Sequence, residues 1–276
     1  YKKRYMKKIM VTGGAGFIGQ NLIQHLEKDH LVEGFEYTPN VYPDPSKYDW
    51  VIHLGAISST TETNVDKILT QNYEYSMRLL QMCEQMGANF QYASSASVYG
   101  NTEKFNEEDN VLPQSPYAWS KYLFDRFVKE AGEFNILVQG FRYFNVYGPM
   151  EEHKGKQMSP VSKFIEQAKQ TGVIKIFEGS ENYTRDFVSV HDVCEVHRQM
   201  LSADTSGVFN VGTGTNISFK HVAEVVANKF NAKIEEIPMP ENIKKHYQSY
   251  TRADNSKVNK FVNVDWSTIE QYVEKF

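Results

Sequence analysis

Only two cysteines, Cys83 and Cys194, occur in 276 residues. That is too few for a disulfide framework and wrongly spaced for zinc, so a reducing, cytoplasmic setting is expected. Long hydrophobic runs are missing too. With no stretch of about 18 apolar residues and a mean hydropathy of -0.53, a membrane span is excluded and a soluble chain is expected. Nor is there an excess of positive charge: 30 Lys and Arg stand against 34 Asp and Glu, a net charge of -4. A broad phosphate-binding surface is therefore not expected, and nucleic acid is not an expected partner, although a small anion site is compatible with this balance. No apolar signal segment opens the chain, and no metal-ligand cluster, internal repeat or low-complexity stretch is visible. Residues 1–5, with Lys2, Lys3 and Arg4, read either as preceding a natural start at Met6 or as a basic tail.

What is present is alternation. Residues 8–12 form an apolar run that breaks into glycines and continues with the helical pattern Leu22, Ile23, Leu26. Further strands are predicted at 31–36, 50–54, 89–93 and 136–141, and helices at 68–85 and 117–131. This order predicts an α/β fold, a Rossmann-like doubly wound parallel sheet whose ligands sit at the carboxyl ends of the strands. Between the second and third strands, Pro39, Pro43 and Pro45 leave residues 37–49 too broken for a crossover helix. An ordinary helix and much of a strand are expected to be missing there. Beyond Gly148-Pro149 the pattern gives a polar loop, a helix at 161–170, a short strand at 174–177 and a second polar loop. The chain then returns with a helix at 190–201 and a strand at 207–211, followed by a helix at 219–228 and a polar tail with Pro238 and Pro240. A dinucleotide-binding domain of residues 1–148 plus about 188–214 is expected, with a smaller discontinuous substrate lobe of 149–187 plus 215–276.

Gly13, Gly16 and Gly19, placed between strand and helix, let a backbone approach a pyrophosphate while the helix N-terminus supplies N–H groups. A turn that merely packs helix on strand would show the same pattern. Glu36 favours the ligand, because it lies about 20 residues further on at the end of the next strand, where a carboxylate accepts from ribose hydroxyls. That carboxylate would repel a 2′-phosphate, and residues 37–46 hold no Arg or Lys to compensate. NAD is expected, with NADP as the alternative. Tyr117 and Lys121 are four apart and share a helix face. An ammonium there is expected to lower the phenol from its usual value of about 10 towards working pH, so that Tyr117 removes a hydroxyl proton during hydride transfer. Ser95, just after a predicted strand, offers a hydroxyl to the reacting oxygen.

Taken together, the run from Thr12 to Gly19, Ser95, Tyr117-x-x-x-Lys121 and Phe144-Asn145-Val146-Tyr147-Gly148-Pro149 resemble the extended short-chain dehydrogenase/reductase superfamily. The resemblance implies a nucleoside-diphosphate-sugar substrate and Ser95, Tyr117 and Lys121 as a catalytic triad. It also implies cofactor contacts from Phe17, Ile18, Leu54, Gly55, Ala56, Asn72 and Val146, besides the glycines and Glu36. Ala96-Ser97 stands where the superfamily's 4,6-dehydratases carry an Asp-Glu pair, which disfavours dehydration.

Further segments resemble the ADP-L-glycero-D-manno-heptose 6-epimerases: Gly55-Ala56, Ser58-Ser59-Thr60-Thr61-Glu62, His153-Lys154-Gly155, the run from Phe177 to Asn182, Arg185-Asp186-Phe187 and Tyr247-Gln248. That likeness implies an epimerase that oxidises an exocyclic carbinol and returns the hydride to its other face, with Tyr117 and Lys154 as two acid/base groups. It further implies substrate contacts from Ser58, Ser95, Asn145, His153, Phe177, Glu178, Gly179, Ser180, Arg185 and Tyr247; a homo-oligomer is expected. Lys154 as a solvated loop lysine and Arg185 paired with Asp186 at the surface are the plainer alternatives. The chain departs from that group in its short 37–49 segment, where Lys47 replaces several lysines suited to NADP, and in Met150, Lys156 and Gln157. An NDP-hexose 4-epimerase, an NDP-sugar ketoreductase and a catalytically idle dinucleotide-binding module are the competing readings; the intact Ser95, Tyr117 and Lys121 set argues against the last.

Overall fold

The computed structural model describes residues 5–59, 62–108, 111–244 and 247–276. Lys2, Lys3 and Arg4, and Thr60 and Thr61 of the Ser-Ser-Thr-Thr-Glu run, lie outside the described residues. The first half alternates strand and helix: β1 (Lys8–Thr12), α1 (Phe17–Leu26), β2 (Leu31–Phe35), β3 (Trp50–His53), α2 (Val65–Ile68), α3 (Tyr75–Met86), β4 (Asn89–Ser95), α4 (Pro116–Glu130) and β5 (Val138–Tyr143). A π-helical stretch, Leu69–Glu74, joins α2 to α3. The second half comprises β6 (Asn145–Tyr147), α5 (Pro160–Thr171), β7 (Val173–Phe177), β8 (Thr184–Arg185), β9 (Phe187–Ser189), α6 (Val190–Met200), β10 (Gly207–Val211), β11 (Ile217–Ser218), α7 (Phe219–Phe230), β12 (Lys233–Ile237), α8 (Glu241–Lys244) and α9 (Ile269–Val273).

Six strands form one parallel sheet in the order β2-β1-β3-β4-β5-β10. Successive side chains on a strand point to opposite faces. Ile9, Val11, Trp50 and Ile52 accordingly pack with Leu22 and Leu26 of α1 and Val190 and Cys194 of α6, while Met10, Val51 and Phe90 pack with Leu79 and Leu80 of α3 and Phe124 of α4. The sheet is thus covered on both faces, which is why its central strands read as unbroken apolar runs.

The edge at β2 carries the expected gap. Residues 37–49 contribute only an isolated bridge between Thr38 and Val41 and a short 3-10 turn, Pro45–Lys47. Tyrosines do the packing instead. Tyr42 stacks on Tyr75 with ring centres 4.5 Å apart, Tyr37 meets Tyr75 edge-on at 5.0 Å, and the Tyr75 hydroxyl donates to the Val41 carbonyl. Large flat rings cover the sheet there without a helical backbone.

A second apolar cluster lies off the sheet, where Val161, Phe164 and Ile165 of α5 meet Ile174 and Ile176 of β7, Val222 and Val226 of α7, and Ile269 and Tyr272 of α9. Three two-stranded pairs accompany it: β6 with β9, β7 with β12 and β8 with β11. The predicted polar tail is corrected here, since β12 pairs in parallel with β7 and α9 packs on α7. β12 is hard to see because four of its five residues are exposed and its pairing is through the backbone. α9 has a legible start, the capping box of Thr268 and Gln271. Val258 and Val262 pack with Phe209 and Val211 of β10 at the sheet's other edge.

Candidate active site

The strand order reverses between β1 and β3, and at such a point the diverging loops leave a crevice at the strands' carboxyl ends. Two glycines set its width. A Cβ on Gly13, whose φ is 70°, would lie 2.8 Å from the Gly55 backbone, and one on Gly19 would lie 2.0 Å from the Gly13 carbonyl oxygen. The turn is therefore as tight as backbone packing allows, and α1 presents its N-terminus to the crevice. Glu36 closes the far side, its carboxylate accepting the Ala15 N–H at 2.7 Å.

A chain of hydrogen bonds fixes the crevice from below. The Ser76 hydroxyl donates to the Asn72 carbonyl at 2.7 Å, so it accepts from His53 Nε2 at 2.8 Å. His53 Nδ1 must then accept from the Thr12 hydroxyl, 2.6 Å away, whose oxygen in turn accepts the Gly55 N–H at 3.1 Å. Burial pushes the His53 imidazole down to about 3, helped by the nearby Lys121 charge, so it stays neutral in this role. His53 is a strut from β3 to β1 and to the first turn of α3. Asn72 is a second strut: its amide accepts the Ile57 N–H at 2.8 Å and donates to the Ile57 carbonyl at 3.0 Å and to Ser120. At 1% exposure its side chain acts on the cleft through the Gly55–Ser58 loop instead of facing it. π-helical stretches recur at functional sites, and here one places Gln71 at the cleft and Asn72 behind it.

The cleft, of about 330 Å³, is lined by Gly13, Gly16, Phe17, Ile18, Gly19, Glu36, Leu54, Gly55, Ala56, Ser58, Tyr117, Lys121, His153 and Lys154 among others. Fourteen of the sequence-selected residues thus share one cavity. Tyr117 and Lys121 are delivered by α4, which Ser115 caps by accepting the Ala118 N–H and Pro116 starts at a position with no donor to lose. The ammonium of Lys121 donates to the Ala93 carbonyl at 2.9 Å and lies 5.8 Å from the Tyr117 ring centre. Burial pushes Lys121 down to about 8, against the pull of Asp125. For Tyr117 the expected direction is corrected: burial pushes its phenol up, and it is a hydrogen bond with Ser95 that opposes the rise. Loss of solvent outweighs that one hydrogen bond.

Lys154 enters from the loop after β6. Its Nζ lies 5.1 Å from the centre of the Phe17 ring and 3.7 Å from Glu151 Oε1. Glu151, 1% exposed, is a residue that the sequence did not single out. It accepts from the Gly148 N–H, the Ser159 N–H and hydroxyl, and the Ser162 hydroxyl, so it ties both ends of the Lys154 loop together. The backbone pays for this with a left-handed Met150, φ 71°. Glu151→Ala leaves those donors buried without an acceptor and is expected to cost about 3 kcal/mol of stability, read as a lowered urea midpoint; an unchanged midpoint removes the clamp. Tyr37, Gln71 and Tyr143 also line the cleft unannounced. Tyr143 ends β5, and its place at a strand's carboxyl end was the available signal.

The remaining selected residues lie outside the cleft lining. Asn145 and Val146 sit on β6, where the Asn145 N–H donates to Asp186. Phe177, Arg185 and Tyr247 belong to a separate aromatic group, and Glu178, Gly179 and Ser180 lie in the turn after Phe177. Arg185, 7% exposed, lies 5.2 Å from the Phe219 ring centre and 5.3 Å from that of Tyr247, which meets Phe177 edge-on at 6.3 Å. Asp186 does not pair with it. Its carboxylate is buried and accepts from Thr213, Gly214 and Ala253, and Arg185 has no carboxylate partner among the described residues. Burial pushes the guanidinium down from its ordinary value. Ser180 is buried and donates to the Phe177 carbonyl, while Glu178 is exposed.

Residues 40–212 match the NAD dependent epimerase/dehydratase family. The chain is 37% identical to an ADP-L-glycero-D-manno-heptose-6-epimerase of Brachyspira hyodysenteriae over 96% of each chain. Among solved structures it is similar to the ADP-L-glycero-D-manno-heptose-6-epimerase of Helicobacter pylori, with a TM-score of 0.85 at 27% identity, covering 99% of this chain and 95% of that one. It is also similar to the UDP-glucose 4-epimerase of Thermus thermophilus in complex with NAD, with a TM-score of 0.78 at 25% identity, covering 97% of this chain and 98% of the other. No helix among the described residues is long and apolar enough to cross a membrane.

Proposed function

Because the chain belongs to the NAD dependent epimerase/dehydratase family, we propose that it is a nucleotide-sugar epimerase that inverts the exocyclic C6 carbinol of an ADP-heptose by transient oxidation with bound NAD. One observation carries this reading: Tyr117, Lys121 and Lys154 line the same cleft as the glycine turn and Glu36. A 4-epimerase that turns its substrate within the site needs one acid/base group, whereas rotation about an exocyclic bond uses two.

The residues fit the cofactor. Gly13 and Gly19 let the turn close against the Gly55 backbone and on itself where a Cβ would collide, the N-terminus of α1 that this turn presents suits a pyrophosphate, and Glu36 suits ribose hydroxyls. When bound, NAD supplies the hydride acceptor for the first step and the donor for the second. The protein's own part is proton handling. Tyr117, as phenolate, takes the proton of the C6 hydroxyl, Ser95 donates to the oxygen as it becomes a carbonyl, and Lys121 stabilises the phenolate. After the resulting C6 ketone rotates about the C5–C6 bond, Lys154 gives a proton to the carbonyl oxygen as the hydride returns to the opposite face. Net redox is zero. Arg185, a buried cation with aromatic neighbours and no carboxylate partner among the described residues, suits the substrate's diphosphate. The apolar groove of Val65, Ile68, Trp119 and Leu123 supports a homo-oligomer, and two buried free thiols are consistent with a reducing, cytoplasmic setting.

Incubation with ADP-L-glycero-D-manno-heptose in deuterated water tests the reading. NMR should show the C6 epimer without solvent deuterium at C6; a ketone, a dehydrated sugar or unchanged substrate would rule it out. Cofactor choice is a separate expectation. Residues 37–46, which follow Glu36, hold no Arg or Lys, and of the cleft's two lysines Lys121 donates to the Ala93 carbonyl while Lys154 serves the sugar in this reading, so no basic side chain is assigned to a 2′-phosphate. NAD should bind at least about tenfold more tightly than NADP, roughly the worth of one unfavourable charge contact. Calorimetry giving equal affinities would overturn this.

A further inference from the structure

We infer that Asp125 is a positioning residue of the reaction, a buried carboxylate one helical turn behind Lys121 that braces α4 against β4 and β5. The inference rests on the proposed roles of Tyr117 and Lys121. Tyr117, Lys121 and Asp125 recur every four residues, so they stand on one face of α4. Asp125 is 3% exposed, and its carboxylate is bound from two other elements. On β4, the Tyr92 hydroxyl donates to Oδ1 and the Ser94 hydroxyl to Oδ2, each at 3.0 Å. On β5, Arg142 Nε donates to Oδ2 at 2.9 Å.

The brace matters because the same stretch of β4 carries Ala93, which accepts from Lys121, and Ser95, which bonds Tyr117. One carboxylate therefore holds in register the strand and helix that supply the three catalytic groups. Arg142 is itself anchored, donating to the Tyr99 hydroxyl at 3.0 Å, while Tyr99 donates to Asn210 at 2.7 Å.

The charge matters because Lys121 is buried with a single carbonyl acceptor in its hydrogen bonding. The other titratable groups around it offer no negative charge at neutral pH. His53 on β3 is held neutral, Tyr143 on β5 and Tyr92 on β4 are pushed far up by burial, and Tyr117 is pushed up as well. Across the cleft, His153 and Lys154 can add only positive charge, and Glu36 is engaged by Ala15. Asp125 is the anion that opposes the burial of Lys121, and Arg142 is its structural counterweight.

Asp125→Asn tests this, together with Asp125→Asn/Arg142→Met, which removes both buried charges and guards against misfolding. Lys121→Met serves as control. The titration of Lys121 can be read directly from its Cε chemical shift in lysine-labelled apo protein, assigned by its disappearance in Lys121→Met. A midpoint near 8 is expected for the wild type, falling by about one unit or more without the carboxylate. Activity on ADP-L-glycero-D-manno-heptose, expressed as variant over wild type, should then decline about tenfold as pH rises through the interval between the two midpoints. A purely structural role lowers that ratio equally at every pH and leaves the Lys121 midpoint in place; either result overturns the inference. Should Lys121→Met retain wild-type turnover, the catalytic reading itself fails, which separates the two.

Discussion

Tyr117→Phe is expected to lower turnover at least about 100-fold, the usual minimum for losing a general acid/base, with NAD affinity and thermal midpoint unchanged. The variant removes one oxygen from a ring that α4 positions through its backbone and cap, so the fold has no reason to move. What goes is the group that takes the substrate proton. The pH dependence has a definite sign. Burial pushes the Tyr117 phenol up and pushes Lys121 down to about 8, so the pair that works, phenolate beside ammonium, is scarce at neutral pH. Wild-type activity should therefore climb as pH rises towards about 8 and level off beyond it, because further loss of ammonium offsets further gain of phenolate. Phe at 117 should abolish the climb along with the rate. Near-normal turnover by Tyr117→Phe, measured under saturating substrate, removes this residue from the chemistry.

What the sequence reveals of this site depends on how local the signal is. The glycine turn, Glu36 and the Tyr117–Lys121 spacing are legible because each is fixed by a single strand-turn-helix unit or one helix face, and all line one cleft. The direction of the Tyr117 shift was not, because spacing reports the lysine but not the burial that raises the phenol. Asn72 shows another limit. Expected at the cofactor, its amide is spent on Ile57 and Ser120 from within a π-helical stretch, which spacing in the sequence does not reveal. Glu151 and Asp125 are carboxylates whose partners lie mostly on other elements, so neither belongs to a motif that the sequence displays. Asp125 alone had a usable sign, its place four residues beyond Lys121.

The short 37–49 segment bears on the same question. Its prolines predict the missing helix, but not that Tyr37, Tyr42 and Tyr75 take over the packing. That exchange leaves Glu36 and Tyr37 at the cleft with no basic side chain between them and Lys47, whose ammonium is exposed and 3.9 Å from Asp44. The proposed preference for NAD is therefore set at this edge of the sheet, away from α4 and β4.

Lys154→Ala separates a two-base epimerase from its relatives. The loop that carries Lys154 is held by Glu151 at Gly148, Ser159 and Ser162 and not by the lysine itself. Truncating the side chain should therefore leave the loop in place. Nζ is 3.7 Å from an oxygen of Glu151 that also accepts from Ser159, a distance that gives charge attraction without a tight hydrogen bond, so the ammonium is free to turn to a substrate. If Lys154 gives the second proton, the alanine variant still removes the proton and hydride from one C6 epimer through Tyr117 but cannot complete the return on the other face. Epimer formation should fall at least about 100-fold, while reduced cofactor, followed by its near-ultraviolet absorbance, accumulates with one epimer and not with the other. A ring-flipping enzyme that relies on Tyr117 alone would show neither asymmetry nor the loss, because its second step reuses the first base. Wild-type epimerisation by Lys154→Ala would thus remove the second base and, with it, the ground for assigning the exocyclic carbon.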